Sequence, residues 1–144
     1  GQLEPAVGAD MAPQPTTQAI ATLIDQVRSS GLAINYVVSG QPLALPSGMS
    51  LALYRICQEA LTNILKHGGP AASAQVQLTW QGQQVSLLIS DNGRGAAAPS
   101  DGAGHGLLGM RERVALFGGT LEAGPRTGGG FQVHATLPLT GVNR

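Results

Sequence analysis

The stretch GHGLLG, residues 104–109, carries the glycine spacing G-x-G-x-x-G of a dinucleotide-binding turn, and its reading decides the fold. A dinucleotide turn leaves a β-strand directly and opens the helix of a βαβ unit. An acidic residue follows it by about 20 positions. Here the preceding residues are AAAPSDGA (96–103), a small-residue loop and not a strand, and the acidic Glu122 falls too near, in a short strand. That context rules out a doubly wound dinucleotide fold. What survives is a run of small residues that leads into a helix beginning near Gly106-Leu107-Leu108. Such a helix start offers unpaired backbone N–H groups and a positive dipole end, which suit a phosphate.

Outward from this stretch the elements follow by periodicity. Downstream, Leu107, Met110, Val114 and Phe117 share one face of the predicted helix, Gly118-Gly119 ends it, and TLEA (120–123) and GFQVHATLPL (130–139) read as strands. Upstream, Val76, Leu78 and Trp80 alternate with polar residues, QGQQ (81–84) turns the chain, and Val85, Leu87 and Ile89 alternate again, which predicts a hairpin. A helix is expected from Thr16, with Ile20, Leu23, Ile24 and Val27 on one face and Gly31 as its stop. LAINYVVS (32–39) reads as a strand. A second helix, capped by Ser47 or Ser50, runs to about Lys66 and stops at Gly68-Gly69-Pro70. The expected fold is α+β, a two-layer α/β sandwich. About five strands form a mixed, mostly antiparallel sheet, with about three helices on one face. Residues 1–15, rich in Pro, Gly and Ala without a period, read as a disordered lead-in or a cloning remnant. Residues 16–140 form the domain and 141–144 a tail.

Composition narrows the function. The chain has 144 residues, enough for one domain with a real core. Eight basic residues balance eight acidic ones, so no electrostatic case exists for nucleic-acid binding. The single cysteine, Cys57, excludes a disulfide framework and fits a reducing, cytoplasmic setting. No apolar run reaches the roughly 20 residues that cross a bilayer. The 21 glycines are not periodic and cluster at 93–95, 102–109 and 128–130, as loops with a task do.

Three further stretches carry chemistry. In QEALTNILKHGG (58–69), Glu59, Asn63, Lys66 and His67 are spaced three and four apart and share one helix face. The opposite face, Leu53, Ile56, Cys57, Ala60, Leu61, Ile64 and Leu65, is apolar, so the helix is packed. An asparagine in mid-helix has poor propensity and needs a reason. A carboxylate and an amide oxygen one turn apart can hold a hydrated Mg²⁺, and Lys66 and His67 can meet phosphate oxygens. DNGRG (91–95) ends a buried strand, which places the Asp91 carboxylate in a pocket wall where it can accept from an exocyclic amine. Gly93 and Gly95 let the backbone approach a ring. RTGGGF (126–131) opens the last strand with three glycines where a hairpin needs one or two.

These four stretches, in this order across residues 54–137, resemble the N, G1, G2 and G3 boxes of the ATP-binding catalytic domain of sensor histidine kinases, a Bergerat-fold (GHKL) domain shared with DNA gyrase and heat-shock chaperones. YRICQEALTNILKHGG and GLLGMRERVALFGG are most similar to the nitrate-sensor-type subfamily, whose short lid matches the brief span 96–103. The resemblance implies ATP and Mg²⁺ as cofactors. It implies Glu59 as the carboxylate that polarises the attacking nucleophile, Asn63 as the Mg²⁺ ligand, and Lys66 and His67 as phosphate contacts. Asp91 is implied as the adenine reader in a pocket shaped by Gly93 and Gly95. Gly104, His105, Gly106, Leu107 and Gly109 belong to the implied lid and phosphate cradle, and Thr127 supplies a hydroxyl on the adenine side. For Arg111 and Arg113 a salt bridge on the lid helix is expected.

One departure matters. His67 and His105 are followed by Gly and His134 by Ala, and none has the acidic follower of a phosphoacceptor histidine. The chain therefore reads as a monomeric domain cut from a longer kinase. It would transfer the ATP γ-phosphate to a histidine on a separate dimerisation domain, with a response regulator downstream, and would not autophosphorylate alone. The domain is expected to be cytoplasmic and its parent an inner-membrane sensor. The alternatives are an anti-sigma-factor-type serine kinase and a non-catalytic nucleotide-binding module of the same fold.

Overall fold

The computed structural model describes residues 16–93 and 101–139, and of 101–106 the backbone alone. The expected lead-in 1–15, the tail 141–144 and the first part of the lid stretch lie outside the described residues. Among the described residues the order is α1 (Thr16–Arg28), β1 (Ala33–Ser39), α2 (Ser47–His67), β2 (Ser73–Trp80), β3 (Gln84–Asp91), α3 (Asp101–Leu116), β4 (Thr120–Pro125) and β5 (Phe131–Pro138).

The five strands form one sheet in the order β1-β2-β3-β5-β4. β1 and β2 are parallel, in register Ile34↔Ala74 and Tyr36↔Val76, and α2 is the crossover that a parallel pair requires. The other pairings are antiparallel: Val76↔Ile89 between β2 and β3, Leu87↔Ala135 between β3 and β5, and Leu121↔Ala135 between β4 and β5. Strict alternation puts Val76, Leu78, Trp80, Val85, Leu87, Ile89, Val133, Ala135 and Leu137 inside. The buried faces of α1 (Ile20, Leu23, Ile24) and α2 (Leu53, Ile56, Cys57, Ala60, Leu61, Ile64) complete the same core. The two-layer, mostly antiparallel architecture expected from the sequence is the one found.

Four local readings need correction. Neither serine caps α2. Pro46 occupies the N-cap position with φ −54° and ψ 145°, and no side chain bonds there. The Ser50 hydroxyl is turned instead to Thr16, with the two Oγ atoms 2.8 Å apart, and fastens the start of α1 to α2. Leu65 is not part of the packed face; it is 42% exposed, because it falls beyond the arc that the sheet covers. The third helix begins at Asp101, five residues before Gly106. Glycine costs a helix about 1 kcal/mol per residue relative to alanine but does not stop it. The anchors Leu107, Met110 and Val114 pack against the core and carry the helix upstream. Finally, Arg111 donates its Nε–H to the Leu121 carbonyl at 3.0 Å and so ties α3 to β4. Among the described residues the ion pair formed is Arg28–Asp25, so the expected lid-helix salt bridges do not appear there.

Candidate functional site

The site grows from the end of β3. Alternation along β3 turns every second side chain into the core, and Asp91 is the last in that series. It is 4% exposed, a carboxylate where the preceding inward positions hold Val85, Leu87 and Ile89. A buried charge needs donors. Oδ2 accepts the Gly93 N–H at 2.7 Å and Oδ1 accepts the Phe131 N–H at 3.1 Å. Each oxygen retains a free lone-pair direction, so the carboxylate is fixed in orientation yet able to accept from a ligand amine.

The turn after Asp91 is pinned to its neighbours. On the β2 side, the Asn92 N–H donates to the Ser73 carbonyl at 3.2 Å, and the Ser73 N–H donates to the Asn92 Oδ1 at 2.8 Å. A Cβ at Gly93 would run into the Gly68 carbonyl oxygen and Cα. Glycine at 93 is thus required by the close approach of the DNG turn to the end of α2. The geometry joins two of the stretches singled out in the sequence, 58–69 and 91–95.

On α2, Glu59, Asn63 and His67 are half-buried and Lys66 is exposed, as a stripe at one edge of a packed helix should be. Among the described residues none of their side chains is engaged in a hydrogen bond to protein, which leaves carboxylate, amide and imidazole groups free toward a ligand. Lys66 also borders an open cleft of about 450 Å³ between the α1–β1 and α2–β2 turns, lined by Ser30, Gly31, Gly69 and Pro70.

The third stretch closes on Asp91 from the other side. Gly128, Gly129 and Gly130 all have positive φ, 90°, 118° and 93°, which explains why three glycines stand where a hairpin needs fewer. A Cβ on Gly130 would strike the Asp91 carbonyl oxygen. The Arg126 Nη1 donates to that same carbonyl at 2.8 Å. Thr127 lies exposed in this turn, one residue from that contact. Arg126 and the Phe131 N–H are the groups that sequence reasoning missed. The three glycines marked the turn, but nothing in the local pattern showed that its flanks would bond a residue some forty positions earlier.

The fourth stretch lies within α3. Gly104, His105, Gly106, Leu107 and Gly109 are all in the helix, so the N–H groups of 106–108 are interior and the helix start lies upstream at Asp101. Asp101 is the start signal that the glycine spacing obscured, an acid in the first turn. Leu107 is half-buried, and Gly109 is exposed with open space around its Cα. Gly95 lies outside the described residues. Among the described residues no group of three or more His, Cys, Asp or Glu side chains stands close enough to hold a metal unaided. No helix described is long and apolar enough to cross a membrane.

Comparison with known proteins agrees with this arrangement. A family model described as histidine kinase-, DNA gyrase B-, and HSP90-like ATPase matches residues 48–141. The sensor histidine kinase LnrJ of Bacillus subtilis (strain 168) is 37% identical over 115 residues, 80% of this chain and 28% of LnrJ. The nitrate/nitrite sensor protein NarQ of Escherichia coli (strain K12) is 38% identical over 96 residues, 66% of this chain and 17% of NarQ. This chain thus spans less than a third of these relatives. The mycobacterial sensor histidine kinase MprB has a similar fold, with a TM-score of 0.66 over 88% of this chain and 97% of that one, at 24% identity.

Proposed function

The chain belongs to the histidine kinase-, DNA gyrase B- and HSP90-like ATPase family, and from that membership we propose that it is the catalytic ATP-binding domain of a sensor histidine kinase of the nitrate-sensor type. It would deliver the γ-phosphate of ATP to a histidine on a dimerisation domain elsewhere in the parent protein, and a response regulator would receive the phosphate next. The relatives named above are sensor proteins, which does not favour the serine-kinase or non-catalytic alternative.

The observation that carries this reading is the buried Asp91 carboxylate, held by two backbone N–H groups with acceptor capacity left over. It suits the exocyclic amine of adenine. Gly93 donates its N–H to this carboxylate and lets the turn close against Gly68, and Thr127 lies in the turn that borders Asp91. Gly95 is assigned to the same pocket by its place in the DNGRG stretch. On α2, the Asn63 amide oxygen and the Glu59 carboxylate are hard oxygen donors on one face, the kind that Mg²⁺ takes together with nucleotide phosphates. Asn63 would hold the ion, which when bound neutralises charge on the phosphates. Lys66 and His67 would meet phosphate oxygens, and Gly104, His105, Gly106, Leu107 and Gly109 on α3 would cover them. Glu59 would orient and polarise the incoming imidazole. Phosphoryl transfer depends chiefly on such positioning and charge stabilisation.

His67 belongs to the phosphate stripe, His105 to α3 and His134 to β5, so the acceptor must come from outside these positions. The test incubates the chain with labelled ATP and Mg²⁺, alone and with the parent's dimerisation domain. Acid-labile phosphate should form only on the added domain. Glu59→Gln should slow transfer by about 10²-fold or more while ATP affinity changes little, because a polarising group acts mainly in the transition state. Phosphate on this chain alone, or an unchanged rate in Glu59→Gln, would overturn the proposal.

A further inference from the structure

We propose that Arg126 is a positioning residue for base selection: it acts through the Asp91 main chain to hold the carboxylate at the angle that accepts an exocyclic amine. The inference rests on the reading of Asp91 as the adenine acceptor.

The sheet stops short of Asp91 on its β5 side. The β3–β5 ladder ends at Ser90↔Gln132, one pair before Asp91. The β2–β3 ladder continues to Ala74↔Asp91, and Ser73 then satisfies the polar groups of Asn92. Asp91 is therefore secured on one side by strand β2. On the other side its carbonyl faces the turn between β4 and β5, beyond the last ladder bond. A buried carbonyl in that place needs a donor. Among the described residues the donor is the Arg126 guanidinium, at 2.8 Å.

The base of that side chain is itself fixed. The Arg126 N–H donates to the Gly130 carbonyl at 2.9 Å, and the Arg126 carbonyl accepts the Gly129 N–H at 3.1 Å. Gly130 lies so close to the Asp91 carbonyl that no side chain fits between them. The carbonyl and the carboxylate belong to one residue, so a rotation of the Asp91–Asn92 peptide would alter the backbone that aims the carboxylate and strain its bonds to Gly93 and Phe131. Arg126 opposes that rotation. Its own side chain is exposed and adds little to the core, so its removal should cost folding no more than one hydrogen bond while it disturbs ligand selection.

The experiment measures the affinity of the full chain for ATP and for inosine triphosphate, whose base has a carbonyl where adenine has the amine. Wild type, Arg126→Ala, Arg126→Lys, Asp91→Asn and the double variant Asp91→Asn/Arg126→Ala are compared, with melting temperatures alongside. Arg126→Ala should lower the preference for ATP by about fivefold, the worth of one hydrogen bond, with a fall in melting temperature no larger than that of Arg111→Ala. Arg126→Lys, which keeps a donor, should restore most of the preference. In the Asp91→Asn background the Arg126→Ala change should have no further effect on preference. Where Arg126→Ala does not fold, Arg126→Met, which keeps the length of the side chain and lacks a donor, carries the same comparison. Equal weakening of both nucleotides, or a preference that survives Arg126→Ala while Asp91→Asn abolishes it, overturns the role of Arg126 alone. A preference that survives Asp91→Asn overturns the adenine reading, and this inference with it.

Discussion

The Phe131 N–H donates to the Asp91 carboxylate at 3.1 Å across forty positions of sequence, and so couples the first residue of β5 to the last of β3. The same carboxylate accepts from Gly93 through its other oxygen. Asparagine at 91 could satisfy one of these donors, while its NH₂ group would face the other. Asp91→Asn should therefore weaken ATP binding by about 1.5–3 kcal/mol, the worth of a hydrogen bond to a charged group, and should lower the preference for ATP over GTP. Calorimetry with both nucleotides checks this. Unchanged affinity and preference would reduce Asp91 to a turn residue.

That coupling also marks what the sequence could tell. Alternation in β2, β3 and β5 and the 3.6-residue period of α1 and α2 are local signals, and they gave the layers and the buried faces. The polar stripe Glu59, Asn63, Lys66 and His67 was equally legible, because helix spacing alone puts these residues on one face. Arg126 was not, because its role depends on the β3–β5 register, a tertiary fact. The start of α3 was misread for the opposite reason. A strong local signal, the glycine spacing at 104–109, outweighs the weaker acidic start at Asp101, and the packing of Leu107, Met110 and Val114 decides the matter.

Two glycines with similar backbone angles should respond differently to alanine. Gly31 has φ +106° with open space around it, and Gly130 has φ +93° with the Asp91 carbonyl in the way. Gly31→Ala bears the left-handed backbone cost alone, about 1–2 kcal/mol. Gly130→Ala adds a backbone collision, so its loss of stability should exceed that of Gly31→Ala by at least about 1 kcal/mol, and nucleotide binding should fall with it. Urea unfolding of the two variants decides. Equal costs would mean that the β4–β5 turn yields freely.

Stability should decline in alkali. Burial pushes the Cys57 thiol from its ordinary 9.0 up to about 12, and burial, with Cys57 nearby, raises the Tyr36 phenol above its ordinary 10.0. Both groups keep their protons longer when folded. Below the unfolded thiol value neither state ionises and the full contribution is present. Above it the unfolded chain releases protons that the folded chain retains, so stability falls as pH rises, for Cys57 until its folded value is passed. Unfolding midpoints from about pH 8 to about pH 11 should show this slope, up to about 1.4 kcal/mol per pH unit for the thiol. Cys57→Ala should remove that share. A flat profile in wild type would contradict the burial of both groups.

The two arginines that meet backbone carbonyls should separate by effect. Arg111 bonds Leu121 and joins α3 to β4, remote from Asp91 in its chemistry. Arg111→Ala should cost about 1 kcal/mol of stability and leave the ATP preference untouched. Melting curves and nucleotide competition on one preparation give both numbers. A changed preference would assign α3 a share in base selection.

The β3–β5 pairing divides the molecule into an earlier part, α1 through β3, and a later part, α3 through β5, and Asp91 takes one holding bond from the turn that follows it and the other from the later part. A substitution anywhere along that seam, at Leu87 or Ala135 for instance, loosens the jaws that grip the carboxylate. A survey of variants for weak nucleotide binding will therefore collect residues that never approach the base. Only a comparison of one base with another distinguishes a broken hinge from a lost contact.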